Sequence, residues 1–146
     1  MAEEHLPAYE TTRVIIGAFY YVYNRLGYGF LESVYHRALG NTLERTGREV
    51  LREVALHVMF ERQLVGEFRA DLIVDRRVVV EVKAVDQLGG SHEAQLINYL
   101  RAANLPVGLL VNFGPRPSYR RLVGPLANQA LHCHADIEAP YTRLMK

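Results

Sequence analysis

The residue types best placed to do chemistry lie between Arg69 and Lys83, in the stretch RADLIVDRRVVVEVK. It reads as two strands, Arg69 to Val74 and Val78 to Lys83, joined by the polar turn Asp75-Arg76-Arg77. Strand side chains change face at every residue, so Glu81 and Lys83 share one face. With a three-residue loop Val74 faces Val78 and, counting back, Asp71 faces Glu81. The surrounding positions are almost purely apolar, which predicts burial of this hairpin on both faces. Two opposed carboxylates repel there and are costly unless paired or bound to a cation. A hard divalent cation between Asp71 and Glu81 is the simplest resolution. Lys83 lies two residues from Glu81, about 6–7 Å along the strand, where it could donate a proton, stabilise an anion or position a nucleophile. The alternative is a buried ion pair between Lys83 and one carboxylate, with the other carboxylate solvated. The D-x(9)-E-x-K pattern alone leaves both open.

The elements before this hairpin must position it. Tyr9 to Leu26 has apolar residues at helical spacing, Val14, Ile15, Ala18, Phe19, Val22 and Leu26, and Gly27-Tyr28-Gly29 ends the helix. Leu31 to Thr46 predicts a second helix with Leu31, Val34, Ala38, Leu39 and Leu43 as its inner stripe. Glu32 falls in its first turn, where the helix dipole alone would favour a carboxylate. Tyr35 and His36 follow on the same side. Glu49 to Phe60 reads as a strand, and Glu61 to Gly66 as the turn leading to Arg69. His57 reads as structural.

After Lys83 a glycine-containing loop, Ala84 to Gly90, leads to a helix from His92 to about Ala103 that Ser91 can cap. Gln95 and Tyr99 stand one turn apart on it, either as a polar rim or at the edge of a site. Val107 to Phe113 is a further apolar strand. Strand, helix, strand over this region predicts a right-handed crossover and a parallel pair. The expected fold is therefore α/β: a mixed four-stranded sheet flanked by helices. Arg116, Arg120 and Arg121 form a small basic cluster. Leu122 to Leu131 reads as a possible helix interrupted by Gly124-Pro125. His132-Cys133-His134 is either a surface tail or half of a metal site, since no second ligand pair has zinc-like spacing.

The chain has 146 residues, enough for one domain with one core. Its net charge of +1 gives no global signal for nucleic acid, so any such contact must come from a local patch. Cys133 is the only cysteine, so no intrachain disulfide can form. No apolar run approaches membrane-spanning length. The stretch MAEEHLPAYE lacks the apolar region of a secretory signal. A cytoplasmic protein is expected.

The order of these elements and acids resembles the PD-(D/E)XK nuclease superfamily, and within it the GxxExxY family. Gly29-Phe30-Leu31-Glu32-Ser33-Val34-Tyr35 matches the name motif of that family, and Arg69-Ala70-Asp71-Leu72, Val80-Glu81-Val82-Lys83-Ala84, Gln95-Leu96-Ile97-Asn98-Tyr99-Leu100 and Gly108-Leu109-Leu110-Val111-Asn112-Phe113-Gly114 match further ones. The likeness covers about residues 10 to 123, leaving 124 to 146 as a tail to one nuclease-like domain. Ala70 stands where the superfamily name has proline. The resemblance implies a restriction-endonuclease-like core in which Glu32, Asp71, Glu81 and the Val82 carbonyl hold Mg²⁺ or Mn²⁺. It implies that Lys83 assists the attacking water, and that Gln95 and Tyr99 touch the substrate backbone. If DNA is the substrate, Arg116, Arg120 and Arg121 are expected to meet phosphates. The competing readings are a non-catalytic module that keeps the fold to bind nucleic acid or protein, and a scaffold with a structural ion. The small surface available for gripping duplex DNA makes a homodimer a further expectation.

Overall fold

A computed structural model describes residues 8–124. The elements run α1 (Tyr9–Leu26), α2 (Glu32–Arg45), β1 (Val50–Phe60), β2 (Gln63–Val74), β3 (Val78–Lys83), α3 (Gly90–Ala103), β4 (Val107–Asn112) and β5 (Ser118–Val123). The strands form one mixed sheet in the order β1-β2-β3-β4-β5. Among the described strands β3 and β4 are the one parallel pair, as the intervening helix requires; the other neighbours are antiparallel. The fold is α/β as expected, but the sheet has five strands rather than four. Ser118–Val123 pairs with β4 from Asn112↔Ser118 to Val107↔Val123. The sequence hides this strand because it is an edge element, and its Tyr119-Arg120-Arg121 run breaks the apolar alternation. Leu122 and Val123 therefore belong to a strand, and the rest of the expected tail helix lies outside the described residues, as does His132-Cys133-His134.

The sheet is covered on both faces. Leu72, Val74, Val78, Val80, Val82, Leu109 and Val111 point towards α1 and α2, where Ile15, Phe19, Leu39 and Leu43 meet them. Ala70, Ile73, Val79 and Leu110 point the other way, against Leu96, Tyr99, Leu100 and Ala103 of α3. That two-sided cover explains why β3 and β4 are runs of valine and leucine rather than alternating patterns.

Three local expectations change. The inner stripe of α2 is Tyr35, Leu39 and Leu43, while Leu31 and Val34 are exposed. The helix is rotated because Tyr35 enters the core and stacks on Phe113, with centroids 4.4 Å apart and planes at 13°. Second, β2 begins at Gln63, and the turn before it is only Glu61-Arg62, with φ of 49° and 66°. Those angles suit a two-residue hairpin, but Asn-Gly is their usual sequence and neither residue signals it. Leu64 and Val65 at the outer end of this hairpin are exposed, and Phe68 is exposed in part, with its ring towards Tyr99 of α3. Third, α3 starts at Gly90, and His92 rather than Ser91 serves its N-terminus: its Nδ1 accepts the Gly89 N–H at 3.0 Å.

Candidate active site

The β2–β3 ladder pairs Val74↔Val78, Ile73↔Val79 and Leu72↔Val80, and stops. The next rung is Asp71 opposite Glu81, the register expected from the sequence. There the carboxylates replace backbone carbonyls as acceptors. The Asp71 N–H donates to Glu81 Oε1 at 3.0 Å, and the Val82 N–H donates to Asp71 Oδ2 at 2.7 Å. On the other side of β2, Glu53 lies between the pairs Arg52↔Leu72 and Val54↔Ala70 and takes a φ of 48°. The sheet is therefore irregular on both sides of Asp71. Its carbonyl is taken from outside the sheet by His36 Nε2 of α2, at 2.8 Å. A carbonyl only accepts, so that contact requires the tautomer with the proton on Nε2.

Glu81 is only 4% exposed. Burial, and next the charge of Asp71, push its carboxyl up to about 8; the Asp71 N–H and the Lys83 ammonium oppose the shift. Lys83 is half-buried on the same face, one pleat further on. Its carbonyl accepts the Phe113 N–H at 2.7 Å, continuing the parallel ladder. Beyond it the chain is fixed by Asn112, which is fully buried. Asn112 Oδ1 accepts the Val85 N–H at 2.9 Å, and its Nδ2 donates to the Val85 carbonyl at 2.8 Å. Gly114 lets β4 leave beside this segment: a Cβ there would stand 1.9 Å from the Val85 carbonyl oxygen.

Glu32, exposed in the first turn of α2, reaches the same end of β3. Its Oε2 accepts the Ala84 N–H at 3.3 Å. Among the described residues no third His, Cys, Asp or Glu joins Asp71 and Glu81 in a ready-made metal group. From α3, Tyr99 is nearly buried, with its ring 5.5 Å from Phe68. Burial, then the charges of Glu81 and Asp71, raise its phenol above the usual range, so it stays protonated and able to donate. Gln95, one turn away, is exposed. The arginines are dispersed. Arg116 is exposed on the β4–β5 loop, and Arg120 pairs with Glu93 of α3 at 3.1 Å. Arg121, opposite Leu109 rather than Leu110, points to the other face of the strand.

Three supporting residues carried little signal of their own in the sequence, although Tyr35 and Asn112 lie within the matched motifs. His36 stood on the Glu32 side of its helix with no partner to suggest a role. Asn112 is a single polar residue in an apolar strand, where an unmatched amide is costly; that anomaly was the available clue. Tyr35 reads as part of a polar face, yet its hydroxyl donates to the Gly27 carbonyl at 2.6 Å and accepts the Phe30 N–H at 3.1 Å. It ties the loop before Glu32 to the core.

Residues 9–122 match the sequence profile of the PD-(D/E)XK nuclease superfamily. The chain belongs to the PD-(D/E)XK nuclease superfamily. Its nuclease-type core thus extends from the first residue of α1 almost to the end of β5. The solved structure of SSO0001 has the same fold, with a TM-score of 0.52 and 23% identity over 68% of this chain. This chain spans about half of that one, 53% of its length. No curated protein matches the chain. Within the PD-(D/E)XK frame, Ala70-Asp71 and Glu81-Val82-Lys83 occupy facing positions on adjacent antiparallel strands.

Proposed function

We propose that this chain is a metal-dependent nuclease of the GxxExxY type that hydrolyses phosphodiester bonds in DNA. The observation that carries the reading is the Asp71–Glu81 rung: two carboxylates meet where the ladder opens, one of them buried and with its proton affinity raised. Opposed carboxylates at a buried site cost a fold energy, and a cation there relieves both burial and repulsion. The donor set is all oxygen, which fits Mg²⁺ or Mn²⁺. Asp71, Glu81 and the Val82 carbonyl would hold the ion, with Glu32 completing the set from α2. Bound there, such an ion polarises a phosphoryl oxygen and lowers the pKa of an attacking water.

The remaining roles fall to the chain itself. Lys83 shares the face of Glu81, and its ammonium orients the attacking water and offsets charge developing on the phosphate. Tyr99 and Gln95 border the site from α3 and contact the substrate backbone. Arg116, exposed on the β4–β5 loop, meets flanking phosphates, whereas Arg120 is held by Glu93 and Arg121 lies on the other face of the sheet. In this reading 1–146 is one nuclease-like domain of a cytoplasmic protein that acts as a homodimer. No helix among the described residues is long and apolar enough to cross a membrane.

One observation favours a second reading. Both carboxylates already accept backbone N–H groups, as they would in a non-catalytic module that keeps the fold to bind nucleic acid or protein. The two readings separate on Asp71→Asn, which keeps an acceptor for Val82 while removing the charge. Cleavage of DNA that needs Mg²⁺ or Mn²⁺ and falls by at least about 10²-fold in this variant is expected of the nuclease. Equal behaviour of wild type and variant, with no metal binding by calorimetry, would select the module.

A further inference from the structure

The loop between α1 and α2 presents large side chains to solvent. Tyr28 is 63% exposed, Phe30 50% and Leu31 77%. Single exposed apolar residues need no explanation, but grouped ones do. The loop is not slack. Gly27 and Gly29 take φ of 68° and 111°, and Tyr35 holds the loop through Gly27 and Phe30. The backbone that carries these side chains is thus fixed, and the Phe30 ring rests edge-on against Tyr35, with centroids 6.1 Å apart. The loop runs directly into Glu32, whose carboxylate accepts the N–H of Ala84, next to Lys83. Cations flank it. Arg25 lies in the last turn of α1, with its guanidinium 3.5 Å above the exposed Tyr21 ring. Arg116 follows Pro115, whose carbonyl accepts the Tyr23 hydroxyl of the same helix end at 3.0 Å.

Exposed aromatic rings on a fixed loop with arginines on the adjoining segments, next to the proposed phosphodiester site, are the recognition chemistry of an unpaired strand. Its bases offer π-faces that a duplex hides, and its phosphates answer the arginines. The geometry points to the Gly27–Leu31 loop as a platform for single-stranded DNA, with bases stacked on Tyr28 and Phe30 and the backbone running along Arg25 and Arg116 towards Lys83. This rests on the nuclease reading and narrows its substrate to unpaired DNA.

The test is equilibrium binding in chelator, so that no cleavage intervenes. Fluorescence anisotropy would follow a labelled oligothymidylate and a blunt duplex of equal strand length. The expected result is at least about tenfold tighter binding of the single strand, lost in Tyr28→Ser/Phe30→Ser and kept in Tyr28→Phe, which retains the ring. Tyr28→Ser alone provides the same readout should the double variant fold poorly. Equal affinity for single strand and duplex, or wild-type affinity in the serine variants, overturns the platform. So does a double variant that binds normally but changes from dimer to monomer in sedimentation, which would make the patch a self-association surface. None of these outcomes touches the Asp71-dependence of cleavage, so the platform and the nuclease reading fail separately.

Discussion

At the scale of single residues, Glu81 decides how the site responds to pH. Its carboxyl titrates at about 8 in the folded chain against an ordinary 4.5. Between those values the folded state holds a proton that the unfolded state has released, so stability falls as pH rises through this window. Metal-free protein should melt at a lower temperature at pH 8 than at pH 5, and Glu81→Gln should remove most of that slope. A Glu81→Gln variant whose melting temperature varies with pH as the wild type's does would rule out Glu81 as the source. Alanine is the wrong probe here, since it would strand the Asp71 N–H that Glu81 satisfies. Lys83 separates chemistry from metal holding. Lys83→Ala should reduce cleavage by roughly 10²-fold or more while Mn²⁺ affinity is kept or slightly raised, because a cation cannot ligate a metal. Joint loss of both would make Lys83 a structural support instead.

At the scale of elements, the placement of the site depends on α2 more than on any strand propensity. Tyr35 joins the α1–α2 loop to Phe113, and His36 and Glu32 reach β2 and the end of β3 from the same helix. Tyr35→Phe keeps the stacked ring but leaves the Gly27 carbonyl and the Phe30 N–H without their partner. It should cost about 1–3 kcal/mol in urea denaturation; a loss under about 0.5 kcal/mol would show that water replaces the hydroxyl. The hairpin carrying Asp71 and Glu81 was legible because its two apolar runs and the polar turn between them set register at once. α1 was legible from its period and its terminal glycine. What stayed hidden was set by tertiary contact. Tyr35 turns inward because Phe113, far along the chain, supplies a face to stack on. β2 extends through Gly66 because β1 supplies partners for a stretch that locally reads as a turn. β5 exists because β4 offers an edge.

Across the whole molecule, the candidate site lies where α2, β2, β3 and α3 converge, so it is complete only when both layers of helices are docked. The strands themselves come together over very different chain separations. β1 and β2 meet through the two residues Glu61-Arg62, whereas β3 and β4 must wait for the α3 crossover. Closing a short loop costs less entropy than closing a long one, and local pairings form early. The hairpin turn therefore has a consequence in time: it sets how fast the chain begins to fold. Relieving its left-handed strain with Arg62→Gly should quicken refolding and leave unfolding nearly unchanged in stopped-flow traces, whereas loosening β5 with Val123→Ala should chiefly hasten unfolding. If Arg62→Gly alters only the unfolding arm, assembly starts elsewhere, and the hairpin is added to a nucleus built by the parallel pair.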